Sequence, residues 1–442
     1  GSRLADFRLA PEVERVAYRV YLPQADGSFV LGLYGAPLDG SSAGVRLAEY
    51  VSRGAEDFLV AGTRVVYRLA GNGQPFELFS VPLDGSASPV RLNPLPTSNG
   101  GEFRLSPDGA RVVYFTNPAQ SSRFELFSAP SDGSAPAVRL NGPLVAGGDV
   151  QGYRIAPDST RVVYLADQER DNTVELYSVP IDGSAAPLKL HASQPAAREV
   201  TEFVLTPDST RVIYVADHTV ANHHELYGVP IDGSASPFAL DPSQPSSADA
   251  GGLFLSSDGA RLVYLSNATL AAQSDIRSVP SDGSAPSVRL NPPLVAGGNV
   301  RLSPGAPVIA NGWVAYWADQ EADERYELFS APLDGSAPAR KLSPPLAPGG
   351  SVHWVLRAAA AARVVFQANL DGEPHEAFEL FSVPIDGSAP PVRANPPLLP
   401  DATLPRFYHT GFQLTRDGRS VVYLATLDAA EVYELYQSFL GV

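Results

Sequence analysis

The turn Pro-x-Asp-Gly-Ser recurs eight times, with its aspartate at Asp39, Asp84, Asp132, Asp182, Asp232, Asp282, Asp334 and Asp386 and spacings of 45, 48, 50, 50, 50, 52 and 52 residues. Longer copies surround it: "ELFSVPLDGSASPVRLN" begins at Glu77, "ELFSAPSDGSAPAVRLN" at Glu125 and "ELFSVPIDGSAPPVRAN" at Glu379. A unit near fifty residues is too small to bury its own apolar faces and must stack on its neighbours. That restricts the chain to a solenoid or a propeller before any other property is considered.

Each unit reads as short β runs punctuated by turns. In the unit that starts at Gly101, "EFRL" is a first strand, "SPDG" a turn and "ARVVYFT" a second strand. A variable stretch follows, then "FELFSA", the turn "PSDGS" and "AVRL". Proline presets φ, aspartate bonds the backbone ahead of it, and glycine accepts the left-handed conformation that closes a hairpin. The second strands, such as "RVVY" at Arg161–Tyr164 and "RVIY" at Arg211–Tyr214, are apolar on consecutive residues. A strand with one wet face alternates, so these expect burial on both faces. A β-solenoid rung is shorter than this unit. The expected fold is therefore all-β, a single β-propeller of four-stranded antiparallel blades over residues 1–442.

The first-to-third strand pattern occurs nine times, beginning near Phe7, Phe58, Phe103, Tyr153, Phe203, Leu253, Val300, Trp354 and Phe412. The fourth strand occurs eight times, and "SRLAD" near the beginning runs straight into Phe7 without the usual link. Nine blades are expected, the last three-stranded, with eight as the alternative. Approximate bounds are 3–48, 49–93, 94–141, 142–191, 192–241, 242–291, 292–343, 344–395 and 396–442.

The turns Ser106-Pro107-Asp108-Gly109, Ala156-Pro157-Asp158-Ser159, Thr206-Pro207-Asp208-Ser209 and Ser256-Ser257-Asp258-Gly259, each leading into an Arg-x-Val-Tyr-type strand, resemble the WD40-like PD40 repeat of TolB-type β-propellers. The resemblance covers essentially the whole chain. Departures are Ala61-Gly62-Thr63, the Ala358–Ala362 run, and the inserted "GAPVIANG" of the seventh unit. It implies protein–protein interaction on a bacterial propeller scaffold, and a periplasmic, extracellular or cell-surface location. Gly1-Ser2 reads as a tag-cleavage scar, so any native export signal is expected to lie outside this sequence.

A formal charge of −16 and a pI near 4.9 argue against nucleic acid and anionic membrane surfaces, which select basic faces. Lys189 and Lys341 are the only lysines, and cysteine is absent. Disulfides, thiolate metal sites and a cysteine nucleophile are thereby excluded. No apolar run has the length of a membrane span. A monomer is expected.

Four-stranded blades place the turns between strands one and two (A–B) and three and four (C–D) on one side, and the B–C and D–A links on the other. The A–B and C–D turns are uniform here, so specificity is expected in the B–C and D–A links. Two B–C loops are acidic, Asp167-Gln-Glu169-Arg-Asp171 and Asp319-Gln-Glu321-Ala-Asp323. Their spacing suggests an oxygen-ligand calcium loop, but the sixth and twelfth places hold Asn172 and Ser178 instead of glycine and glutamate. Solvated hairpin loops are the alternative, and no cofactor is the expectation. Asn117, Asp167, Asp217, Asn267, Asp319 and Asn369, at the ends of second strands, are expected to cap turns. His218, His223 and His224 share a loop without matching a metal motif. Gly40-Ser41-Ser42-Ala43-Gly44 matches a nucleophile-elbow string, yet it lies in a C–D turn and not between a strand and a helix.

Units 7–9 are the least regular and hold all three tryptophans, Trp313, Trp317 and Trp354. Candidate partner-binding residues there are Trp317, Asp319, Glu321, His353 and Trp354, with Arg406, Phe407, Tyr408 and His409 of the longest D–A link. Aromatics beside arginine are the usual anchors of binding surfaces; for Trp313 and Trp354 the alternative is wedge-filling between blades. The recurrent Glu of "ELF/ELY" and the Arg that opens each second strand recur too regularly for one site, and inter-blade pairing is expected of them. The leading expectation is a non-enzymatic propeller that binds a protein or peptide. Alternatives are a carbohydrate-binding, small-ligand or hydrolytic propeller, and a purely structural repeat module of a larger surface protein.

Overall fold

A computed structural model describes residues 3–25, 28–50, 58–69, 77–93, 97–118, 123–191, 199–218, 223–242, 244, 248–267, 273–302, 307–358, 362–370, 378–396, 412–415, 418–425 and 434–440. Within these, 49–50, 97–101, 118, 353–358, 412–413 and 424–425 are described by backbone alone. The described residues form nine antiparallel sheets and no α-helix. Seven sheets have four strands, the seventh has five, and the ninth has three. Strands are lettered A to D within each sheet, in chain order.

Sheet 4 is typical: Val150–Ile155, Arg161–Ala166, Glu175–Pro180 and the two-residue strand Leu188–Lys189. In sheet 7 the insertion splits strand A into Val300–Arg301 and Val308–Ala310, both paired with Trp313–Ala318. Asn311 and Gly312, at φ of 49° and 77°, make its A–B turn. Sheet 9 comprises Phe412–Leu414, Ser420–Ala425 and Glu434–Phe439, in agreement with a three-stranded last unit. Arg3–Ala10 pairs along its length with Arg15–Pro23 as strand A of sheet 1.

Two compact units divide the chain. One comprises Gly1–Thr201, Leu205–Val212 and Val229–Pro237; the other comprises Glu202–Val204, Ile213–Gly228 and Phe238–Val442. Inside each, consecutive sheets share a hydrophobic cluster. In the first unit, Val112 faces a cluster with Val66 and Leu78 of sheet 2, while its neighbour Val113 faces one with Val162 and Tyr164 of sheet 4. In the second, Val314 packs with Val263 of sheet 6 and Ala315 with Val364 of sheet 8. Successive strand residues point to opposite faces, so the consecutive apolar runs are explained: strand B of sheets 3 and 7 is buried on both sides. Sheet 1 departs from this, with Leu4, Phe7 and Leu9 exposed.

The repeated residues hold each sheet together and tie it to the next. The Arg opening strand B donates Nε to a strand-C serine of its own sheet, as in Arg64 to Ser80 (2.8 Å), Arg111 to Ser128 (2.8 Å), Arg261 to Ser278 (2.9 Å) and Arg363 to Ser382 (2.8 Å). The same arginines lie in the field of the next sheet's Asp-Gly-Ser aspartate: Arg64 with Asp132, Arg111 with Asp182, Arg261 with Asp334. The hydrogen bonds of these arginines are thus made inside the sheet, and toward the next sheet only the electrostatic influence remains. The recurrent glutamates depart from the inter-blade expectation as well: they pair inside the sheet, across strands C and D, as in Glu77–Arg91 (3.1 Å), Glu125–Arg139 (3.3 Å) and Glu379–Arg393 (2.9 Å). Facing strands bring residues fourteen apart closer than neighbouring sheets do. The Ser-Pro-Asp-type turns add ties, with Ser159 Oγ accepting the Asp108 amide at 3.0 Å and Ser209 Oγ the Asp158 amide at 2.9 Å.

Candidate functional site

On the B–C/D–A side, the links are built rather than loose, and two of them are near copies. "LVAGGDV" leads into sheet 4 and "LVAGGNV" into sheet 7, followed by "ADQERDN" and "ADQEADE" after strand B. In sheet 4 the buried Asp167 carboxylate accepts the amides of Asp149 (2.5 Å) and Asn172 (3.1 Å). In sheet 7 the buried Asp319 accepts those of Asn299 (2.5 Å) and Glu324 (3.0 Å). One carboxylate thereby locks a D–A link to a B–C loop. Gly148 and Gly298 donate to Val145 and Val295 at 3.1 and 3.0 Å, and Tyr164 and Tyr316 donate to Gln168 and Gln320 at 3.0 and 3.2 Å.

The remaining loop acids are also placed. Glu169 and Glu175 flank Lys189 at 2.6 and 2.9 Å, and Glu321 and Glu327 flank Lys341 at 2.5 and 2.9 Å. Burial opposes charge on either lysine, but the paired carboxylates outweigh it and raise both pKa values. Asp171 and Asp323 lie against Gly147 and Gly297, whose positive φ and missing Cβ leave room for the carboxyl groups. Among the described residues, no group of three or more His, Asp and Glu is arranged to hold a metal ion. Of the loop acids considered as calcium ligands, Asp167 and Asp319 thus accept backbone amides and Glu169 and Glu321 pair with lysines.

Among the positions at which the two sheets differ, three bear on the surface of sheet 7. Where sheet 4 has Gln151, Leu165 and Val174, sheet 7 has Arg301, Trp317 and Tyr326. These three come together. Arg301 lies over the Tyr326 ring, 4.5 Å from its centre, and Tyr326 meets Trp317 at 4.9 Å with the planes tilted by 59°. Arg301 is exposed and both rings are half-buried. Among the described residues no hydrogen-bond acceptor meets the buried Trp317 Nε1. Burial raises the Tyr326 hydroxyl pKa, the nearby Asp319 carboxylate adds to this, and Arg301 opposes it. The exposed Asp323 and Glu324 carboxylates also act on Tyr326. The result is a cationic–aromatic ladder with acids nearby, suited to an apolar or aromatic side chain and a carboxylate at its arginine end.

Of the residues singled out from sequence, Trp317, Asp319 and Glu321 therefore sit together in sheet 7. Asp319 frames the loop, and Glu321 holds Lys341. His353 and Trp354 lie in the strand Ser351–Ala358, with Trp354 opposite Gln367; their side chains lie outside the described residues. Arg406, Phe407, Tyr408 and His409 lie wholly outside them. Trp313 packs in the sheet 7–8 cluster with Arg340 5.3 Å from its ring centre, the wedge-filling role. Sequence reasoning missed Arg301 and Tyr326. The signal that points to them is the comparison of units 4 and 7, whose loops share "LVAGG" and "ADQE" while Arg301 and Tyr326 stand where unit 4 has Gln151 and Val174. The loop histidines have separate partners, His218 meeting the Tyr214 hydroxyl at 3.2 Å and His224 facing Asp249 at 3.3 Å.

No protein-family model matches the chain, and no curated protein matches it in sequence. Among solved structures it is similar to dipeptidyl peptidase 4 of Porphyromonas gingivalis, at 11% identity and a TM-score of 0.54, covering 88% of this chain and 58% of that one. It is also similar to a prolyl endopeptidase structure (13%, TM-score 0.45, covering 84% and 54%) and to a TolB of Agrobacterium tumefaciens (16%, TM-score 0.33, covering 56% and 83%). The chain spans a little over half the length of the two peptidases. At such identities the likeness is one of fold. The nine antiparallel sheets, with apolar clusters shared between consecutive sheets inside each unit, and the likeness to the dipeptidyl peptidase 4 structure assign this chain to the β-propeller architecture.

Proposed function

We propose that this chain is a non-enzymatic propeller of nine blades, a monomeric single domain over residues 1–442, that binds a protein or peptide through its B–C and D–A links. The observation that carries this reading is the Arg301–Tyr326–Trp317 ladder, which appears on a frame that sheet 4 builds with Gln151, Val174 and Leu165. A fold needs only one version of that frame to stand, so the second version is free to recognise something. The PD40-like turns support the same reading, together with an exported or cell-surface setting. No metal cofactor is required by it.

The test is capture of binding proteins from a lysate or secretome of the source, identified by mass spectrometry. The bait is the full chain against the triple variant Arg301→Gln, Trp317→Leu and Tyr326→Val, which copies sheet 4. Partners held by the wild type and lost by the variant, with an unchanged melting curve, support the reading; identical captures overturn it. The competing reading is a hydrolytic propeller, and labelling of the full chain by a fluorophosphonate serine-hydrolase probe would establish that instead.

A further inference from the structure

We infer that the Arg301–Tyr326–Trp317 ladder receives the C-terminal residue of a peptide, an aromatic side chain together with its free carboxylate, from a chain whose preceding residues are basic. The inference rests on the reading of the ladder as a recognition surface and adds the chemistry of what it recognises.

Arg301 is the exposed end of the ladder. The acids of the same loop and strand are committed to other groups. Asp319 accepts two backbone amides, Glu321 pairs with Lys341 at 2.5 Å, and Glu327 lies 2.9 Å from Lys341 and 3.8 Å from Arg325. Asp323 is seated against Gly297. Among the described residues no carboxylate forms an ion pair with Arg301, whose contact is the Tyr326 ring, 4.5 Å from Cζ to the ring centre. Arg139, Arg289 and Arg393, on strands of other sheets, each meet a carboxylate. A guanidinium stacked on a ring keeps the N–H groups of its edge, and these make the two parallel bonds that a carboxylate accepts.

The rings set the second requirement. Tyr326 and Trp317 are 4.9 Å apart, tilted by 59° and half-buried, so part of each remains open to solvent. An aromatic side chain stacks on such rings and has few torsions to immobilise. In an extended segment, neighbouring side chains point to opposite sides. An aspartate beside an aromatic residue therefore turns one of the two away from the ladder. A terminal residue carries its carboxylate and its ring on one Cα and offers both together. The third requirement is charge. Asp323 and Glu324 are exposed and act on Tyr326, and the whole chain carries a formal charge of −16. A segment rich in acids is repelled from this surface, whereas basic residues ahead of the terminus are drawn to it.

The test uses the full chain and a fluorescein-labelled hexapeptide, Gly-Lys-Gly-Lys-Gly-Phe, made once with a free C-terminal carboxylate and once with a C-terminal amide. Fluorescence polarisation should show saturable binding of the free acid and binding about three- to tenfold weaker for the amide, the range of one partly exposed charge-assisted pair. Arg301→Gln, which installs the residue sheet 4 has at this place, should bring the two peptides to equal affinity while the melting curve shows a folded protein. Raising salt from about 0.1 M to about 1 M, which shortens the screening length from about 10 to about 3 Å, should weaken both. Equal affinity of acid and amide for the wild type overturns the inference, as does a carboxylate preference that survives Arg301→Gln. An amidated peptide ending in Phe-Asp-Gly that binds as tightly as the free acid overturns it too, because the occupant would then be an internal acid. Absence of saturable binding likewise overturns it. The two readings fail separately: after any of these results, partners captured by the wild type and lost by the triple variant still leave the ladder a recognition surface, of another specificity.

Discussion

Arg301 holds its guanidinium 4.5 Å from the centre of the Tyr326 ring, and sheet 4 has Gln151 and Val174 at the corresponding positions. A guanidinium over an exposed aromatic face contributes about 0.5–1 kcal/mol. A double-mutant cycle on Arg301→Gln and Tyr326→Val, followed by urea denaturation, should return a coupling energy of that size. Coupling indistinguishable from zero would show that the stack does not support the fold and stands only as a presented surface. Each single variant should lose stability modestly, since glutamine and valine already occupy the same frame in sheet 4.

Asp319 bonds two amides from two different links, and its loss should unlock both. Removing a buried charged acceptor leaves both donors unsatisfied, at a cost of about 2–4 kcal/mol. For Asp319→Ala we expect that loss by denaturation, and faster hydrogen exchange at Asn299 and Glu324 together. Exchange rising at one amide alone would contradict the joint lock. Asp167→Ala should behave alike at Asp149 and Asn172. Because these oxygens are turned to backbone amides, calcium or a chelator should leave the melting temperature unchanged; a rise on calcium titration would reassign the loops.

Much of this architecture is legible in the sequence because one unit is written so many times. Strand order, the turns and two-sided burial of Val112 and Val113 follow from residue type alone. Partner assignment does not. Glu125 and Arg139 recur at fixed spacing, as do Arg111 and Asp182, and periodicity cannot separate a pair within one sheet from a pair between two. Asn93 and Asn141 look like ordinary turn residues, yet each is buried and fixes a strand-C amide. The ladder is hidden for another reason. Arg301, Trp317 and Tyr326 lie in or beside three separate strands, and only strand pairing brings them together.

Acid should destabilise the whole repeat. Asp84, Asp132, Asp182, Asp232, Asp334 and Asp386 have lowered pKa values, chiefly through hydrogen bonds from the following serine, at Ser86, Ser134, Ser184, Ser234, Ser336 and Ser388. Asp108 and Asp258 are lowered by Ser106 and Ser256. A carboxyl depressed in the folded state favours folding above its unfolded pKa, and that contribution disappears as pH falls through the folded value. Urea midpoints should therefore be level with respect to these groups above about pH 5 and decline from about pH 4 downward. Ser→Ala changes at Ser86, Ser134 and Ser184 together should flatten that decline. A slope unaffected by the triple variant would place the acid sensitivity elsewhere.

Two glycines should respond oppositely to the same substitution. Gly297 has φ of 85°, and an added Cβ would lie 2.5 Å from an Asp323 carboxylate oxygen, so both backbone and neighbour resist it. Gly297→Ala should lose about 1–3 kcal/mol, the range for strain at a left-handed position beside a crowded group. Gly152 sits in the strand Val150–Ile155, outside the positive-φ region, with nothing within 4 Å of an added Cβ. There alanine restricts the unfolded chain without a native clash, and Gly152→Ala should gain about 0.4–1 kcal/mol. Thermal denaturation of the two variants beside wild type decides it. A Gly297→Ala midpoint at or above that of wild type would mean that the D–A link into sheet 7 is not held in the conformation that seats Asp323.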